Sequence, residues 1–228
     1  KRDTVRKLTL HSKIVLVTTA FLIVGGMISF FVMEYYGTMK GFGIHQRLLS
    51  SFFQSVTTRT AGFNTLDFGA MGKATLLVSM FLMFVGASPG STGGGIKTTT
   101  FSILGLTMVS LLRGRRDISV FKRRIPSSNF REAAGLVFLS ASLVFFIVLI
   151  LLLVEPLPFE KIMFEVISAF GTVGLSTGIT PSLSFLGKIL ITLLMYVGRI
   201  GPLTLIYAFA VRNRKTNINY AEENIAIG

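Results

Sequence analysis

Covalent chemistry finds little to use in this 228-residue chain. It has no cysteine, which excludes disulfides and thiolate metal sites, and its two histidines, His11 and His45, stand alone without metal-ligand spacing. No nucleophile–base pair emerges, so the chain is not expected to be an enzyme. What it offers instead is backbone oxygen. Thr60-Ala61-Gly62-Phe63 and Thr172-Val173-Gly174-Leu175 are two Thr-x-Gly segments 112 residues apart. Loops of this type gathered around one axis replace the hydration shell of a potassium ion with carbonyls. Gly62 and Gly174 would hold the critical positions, because aiming successive carbonyls at one axis demands backbone angles that a Cβ tolerates poorly. Thr60, Ala61 and Phe63, with Thr172, Val173 and Leu175, are expected to add carbonyls or pack behind the glycines. One such segment reads as an ordinary turn. Two, each after a short apolar run and before a full span, favour a cation filter.

The elements that must position these loops are membranous. Half of the chain is hydrophobic (51%) and 14% is charged, with a mean hydropathy of +0.69. A soluble domain carries about 25% charged residues. Full spans are expected at about 14–36, from 73 with an interruption before 98–112, at 132–154 and at 186–211. The apolar runs 48–56 and 159–170 are too short to cross, since a bilayer needs about 20 helical residues. They read as re-entrant pore helices whose carbonyl ends face the centre, where a cation gains from the helix dipole. The halves repeat. Met83-Phe84-Val85-Gly86 matches Met195-Tyr196-Val197-Gly198 at the same offset of 112, and Gly72-Lys73 is set against Gly187-Lys188 with a slip of three residues.

The net charge of +13 resides mostly in segments 1–13, 113–131 and 212–215, between or beside the spans. Lys and Arg concentrate in cytoplasmic loops. The expected product is an all-α, multi-pass protein of the plasma (inner) membrane, in contact with the lipid bilayer and with both termini cytoplasmic. Nucleic acid is not an expected partner. The divisions are a first pore repeat (1–113), a basic cytoplasmic linker (114–131), a second pore repeat (132–211) and a cytoplasmic tail (212–228).

The second helix of the first repeat is broken by Gly86, Ala87, Ser88, Pro89, Gly90, Ser91, Thr92, Gly93, Gly94 and Gly95. Irregular backbone at membrane depth survives only where it is buried or lines a cavity. Below a filter, such a loop would obstruct ions until it moved. A phosphate-binding loop is excluded, since Ile96 intrudes between Gly95 and Lys97 and no strand precedes. A kink for close helix packing is the plainer alternative. Arg199 aligns with Ala87, and a cation within an apolar span is usually paired or functional. It is expected to contact the loop and help form the constriction, with Lys97 a weaker participant, unless it snorkels to the interface. Arg59, next to the first filter loop, is expected to pair with an outer carboxylate: Glu34, Glu155, Glu160 or Glu165. Asp67 and these acids are candidates for concentrating cations at the mouth.

On the residues Ser55-Val56-Thr57-Thr58-Arg59-Thr60-Ala61-Gly62-Phe63-Asn64, Gly86 to Thr100, Gly171 to Ser176 and Gly198-Arg199, the chain resembles the Ktr/Trk/HKT superfamily of potassium transporters. It looks most like the membrane subunit of bacterial Ktr systems. The resemblance covers essentially the whole chain and implies four such repeats around a pseudo-fourfold axis, of which two are present. The chain begins without Met, so it is expected to be the C-terminal half of a longer protein. The resemblance implies potassium as the ion, with no covalently bound cofactor, and an intramembrane gating loop at Gly86 to Thr100. It further implies a homodimer of membrane subunits on a cytosolic, nucleotide-binding regulatory ring. Two rivals are a tetrameric-type potassium channel subunit, which predicts a Thr-Val-Gly-Tyr-Gly-like filter, and a non-transporting scaffold, which leaves the loops unexplained.

Overall fold

The computed structural model describes residues 8–114 and 117–201. Seven α-helices account for most of this: α1 (Leu10–Met33), α2 (Ile44–Thr57), α3 (Lys73–Phe84), α4 (Thr98–Leu112), α5 (Ser127–Val154), α6 (Phe159–Gly171) and α7 (Phe185–Ile200). Helices α1 and α5 are long and apolar enough to cross a membrane, and α3 and α4 are shorter apolar helices. The Thr9 hydroxyl caps α1 by accepting from the Ser12 amide at 3.2 Å. One stripe of α1, Leu22, Gly26 and Phe30, is buried, while Phe21, Val24, Ile28 and Val32 face outward. Helix α2 lies against this stripe. Ser55 donates to the Ile23 carbonyl at 2.7 Å, and a Cβ at Gly26 would fall within 3.0 Å of the Ser55 side chain. Small residues at such a crossing let two backbones approach in an apolar medium.

Helix α5 starts at Ser127, behind Pro126, five residues ahead of the expected start at 132. The basic linker is not wholly irregular. Strands β1 (Ile118–Val120) and β2 (Arg123–Ile125) form an antiparallel hairpin. Its turn residues, Phe121 and Lys122, both have positive φ (48° and 62°), the conformation that two-residue hairpins require. The fold is therefore mostly helical with one small hairpin, rather than wholly helical. The last helix is described to Ile200, with Gly201 as its cap; the expected continuation to 211 and the tail lie outside the described residues.

The two halves use the same order of elements. A single-turn 3-10 helix at Phe68–Ala70 has its counterpart at Thr180–Ser182, and α3 and α7 begin at Lys73 and Phe185, each pair 112 residues apart. The expected slip of three residues is thus incorrect. Gly72 and Ser184 are the equivalent N-caps, whereas Gly187 sits within the first turn of α7. Ser and Gly are both favoured N-caps, so the equivalent position carries different residues in the two halves, and the Gly-Lys pairs do not mark it.

A buried carboxylate joins the helices in each half. Glu34, directly after α1, accepts from the Thr38 amide (3.0 Å) and hydroxyl (2.9 Å), the Gly72 amide (3.1 Å) and the Thr75 hydroxyl (2.6 Å). Glu155, directly after α5, accepts from the Ser184 amide (3.0 Å) and hydroxyl. Each acid ties the end of one long helix to the free amides that start α3 or α7.

Candidate functional site: two Thr-x-Gly loops above a break

Helices α2 and α6 both aim their C-termini at a Thr-x-Gly loop. After Thr57 the chain turns tightly, the Ala61 amide donating to the Thr57 carbonyl at 3.1 Å. The Thr57 hydroxyl reaches across the loop to the Phe63 carbonyl. After Gly171 the Val173 amide donates to the Ser168 carbonyl at 2.9 Å. Both loops place a threonine and a glycine in the left-handed region: Thr60 (φ 72°) and Gly62 (80°), Thr172 (50°) and Gly174 (91°). Left-handed backbone is uncommon for threonine, and here it recurs at equivalent positions. The loops also meet. A Cβ on Gly62 would fall within 3.0 Å of the Val173 carbonyl oxygen, and one on Gly174 would stand 3.8 Å from the Gly62 Cα. Val173 and Leu175 are buried behind their loop, whereas Phe63 is 72% exposed and does not pack behind its own.

Beneath the loops lies the break. Helix α3 ends at Phe84 and α4 begins at Thr98. The chain leaves and returns at one place. Val85 and Ile96 form a parallel bridge, the Gly86 amide donates to the Ile96 carbonyl (2.9 Å), and the Ile96 amide donates to the Phe84 carbonyl (3.1 Å). Between them the excursion carries Gly86, Ala87, Ser88, Pro89, Gly90, Ser91, Thr92, Gly93, Gly94 and Gly95. A Cβ on Gly86 would overlap the Gly94 carbonyl oxygen, and Gly90 and Gly95 have positive φ (78° and 70°). These glycines permit a fold-back that side chains would block.

Three cations grip this segment by its carbonyls. Arg199, on the last turn of α7, donates to Thr92. Lys97 donates to Gly93. Arg59 donates through Nη2 to Gly86 at 3.2 Å. The expectation that Arg59 pairs with an outer carboxylate is therefore corrected, and each candidate acid is held by other groups. Glu34 and Glu155 join helices, Glu160 pairs with Lys73 at 2.9 Å, and buried Glu165 accepts from Ser176 and from Thr180 (2.9 Å). The exposed Glu160 carboxyl is held below the usual range by the Lys73 hydrogen bond. Asp67 caps a local turn, accepting from the Gly69 amide at 2.8 Å. Among the described residues no cluster of His, Cys, Asp or Glu is arranged to hold a metal ion.

The excursion touches both loops above it. The Gly94 amide donates to the Thr172 hydroxyl at 2.9 Å. A Cβ on Gly93 would stand 2.6 Å from the Thr60 hydroxyl oxygen. A cavity of about 320 Å³ opens beside the excursion, lined by Pro89, Gly90, Lys97, Leu136 and Ile200 among others. Sequence reasoning placed Arg199 and Lys97 at the break. It missed the Arg59–Gly86 bond and the Glu165 network, for which no local pattern exists.

The profile of the TrkH family, described as a cation transport protein, matches residues 3–220. The potassium/sodium uptake protein NtpJ of Enterococcus hirae is 42% identical over 98% of this chain and 51% of its own length. The Ktr system potassium uptake protein B of Bacillus subtilis is 40% identical over 96% of this chain and 50% of its own. The chain thus spans about half the length of these curated relatives. Among solved structures, the potassium transporter TrkH of Vibrio parahaemolyticus shares the fold, with a TM-score of 0.69 at 20% identity over 86% of this chain and 43% of that one.

Proposed function

The chain belongs to the TrkH family of cation transport proteins, and from that premise we propose that it forms half of a potassium uptake pore. The family transports cations and is not a class of enzymes. The observation that carries the reading is the matched pair of loops, Thr60 to Phe63 and Thr172 to Leu175, with Thr and Gly left-handed in both and Gly62 against Val173. In this proposal the loop carbonyls replace the water shell of a potassium ion. The excursion from Gly86 to Gly95 is the gate below them, pinned by Arg199, Lys97 and Arg59.

Two further repeats complete the pseudo-fourfold ring in the full-length protein. The basic segments face the cytoplasm, and the protein sits in the plasma membrane as a homodimer on a cytosolic, nucleotide-binding ring. The hairpin and basic residues of segment 113–131 offer that ring a docking surface. The supporting facts for these wider points are the family, the charge distribution and the relatives' names as potassium uptake proteins.

The test is growth and potassium uptake in an uptake-deficient bacterial strain expressing the full-length protein, with and without Gly62→Ser and Gly174→Ser. The expected result is loss of growth at low potassium or admission of sodium. Uptake indifferent to both changes would reduce the loops to turns.

A further inference from the structure

The two threonines that open the candidate filter loops also touch the excursion. The Thr172 hydroxyl oxygen accepts the Gly94 amide at 2.9 Å, and Thr60, its equivalent 112 residues earlier, lies against Gly93. Both contacts depend on glycine. A Cβ on Gly94 would lie 2.7 Å from the Thr172 Oγ1 and 3.0 Å from the Gly171 carbonyl oxygen, and one on Gly93 would strike Thr60. Adjacent glycines of the excursion are thereby seated under equivalent threonines of two different loops. Because Thr172 is left-handed (φ 50°), its side chain leaves the loop on the side of the excursion.

We infer that Thr172 is a positioning residue for the gate, and that a potassium ion at the inner end of the filter and the Gly94 amide compete for its hydroxyl oxygen. This rests on the filter reading above. The chemistry is direct. The oxygen that would ligand a dehydrated cation already gives a lone pair to the Gly94 N–H, whose positive end would lie next to a cation on the same oxygen. A cation and an amide proton held on one oxygen repel each other, and in a water-poor pore that repulsion is weakly screened. Ion arrival therefore favours release of the excursion, and an empty inner site favours its docking. The carbonyl grips by Arg199 and Lys97, on Thr92 and Gly93, also hold the segment and set how much bias the ion must supply. The cavity beside Pro89, Gly90 and Lys97 gives the released segment somewhere to go. The ion thus acts on the equilibrium of its own gate through differential binding to the two states.

The test uses the full-length protein in liposomes, with its gate marked by Ser88→Cys, a position half-buried in the docked excursion, in a segment free of native cysteine. The rate of labelling by a small thiol reagent is read in potassium and in choline. Potassium is expected to accelerate labelling several-fold. Thr172→Val, which keeps the shape and removes the acceptor, should label fast in both salts, and Thr172→Ser should restore the potassium dependence. A rate that ignores potassium, or that Thr172→Val leaves slow, overturns the competition. Potassium flux in the same liposomes separates the two readings. Flux that responds to Gly62→Ser and Gly174→Ser while labelling ignores potassium sinks the competition alone. Flux that ignores both glycines sinks the filter and the competition together.

Discussion

The Arg59 guanidinium donates to the Gly86 carbonyl at 3.2 Å, across 27 residues of sequence. It ties the approach to the first candidate filter loop to the residue where the broken helix departs. Its other terminal nitrogen, Nη1, is buried without a partner among the described residues. Removing the guanidinium leaves the Gly86 carbonyl unpaired in a dry place. A bond to a charged group contributes about 1.5–3 kcal/mol. Arg59→Gln in the full-length protein should therefore lower the Tm in detergent by several degrees. Arg59→Lys should not recover it, since a lysine lacks the planar fork. An unchanged Tm in Arg59→Gln would remove the tie.

The two glycines of the proposed filter should respond unequally. At Gly62 a Cβ meets both a left-handed backbone and the Val173 carbonyl oxygen, whereas at Gly174 it meets the backbone strain alone. A left-handed non-glycine residue costs about 1–2 kcal/mol. Gly174→Ala should reduce the preference for potassium over sodium by about tenfold, taking that strain as lost transition-state preference. Gly62→Ala should lose more. Competition of sodium with rubidium uptake measures both, and equal losses would contradict the close approach at Val173.

Arg199 carries the opposite sign of prediction. Its donation to Thr92 holds the excursion in place, so Arg199→Gln should raise potassium flux several-fold under conditions where the parent is closed. Lys97→Gln should act in the same direction and less strongly, through Gly93. Flux at the parental level in Arg199→Gln would strip the residue of a gating role and leave it as an interfacial cation.

The Glu34 carboxylate makes stability depend on pH. Its two oxygens accept four hydrogen bonds from Thr38, Gly72 and Thr75, and a proton on either oxygen gives up acceptor capacity, so the stability they contribute is lost as the carboxylate protonates. The Tm of the full-length protein should fall as the pH drops from 7 toward 3. Glu34→Gln should start lower at pH 7 and show a shallower fall. Parallel curves for parent and variant would place the acid sensitivity elsewhere.

The sequence displayed some of this and hid the rest for physical reasons. The Thr-x-Gly segments and the offset of 112 were legible because backbone angles there need glycine, and that need is written locally. The break at Gly86 to Gly95 was legible for the same reason. The long-range hydrogen bonds were not. Arg59 looks like a partner for acid, since a charge invites its opposite, yet Glu34, Glu155 and Glu165 are taken up by hydroxyls and amides and Glu160 by Lys73. Glu34 and Glu155 read as solvated mouth residues until the starts of α3 and α7 were brought to them. The hairpin between the halves was missed because its turn residues, Phe121 and Lys122, are not those that usually mark positive φ.

The excursion from Gly86 to Gly95 is closed at its base by the Val85–Ile96 bridge, which joins the end of α3 to the start of α4 independently of the segment between them. A helix that pivots must displace its neighbours and reshape the outline that the protein presents to lipid. In the proposed gate only the segment between the bridged residues moves, so opening should leave the lipid-facing outline unchanged and flux should be insensitive to bilayer thickness and tension.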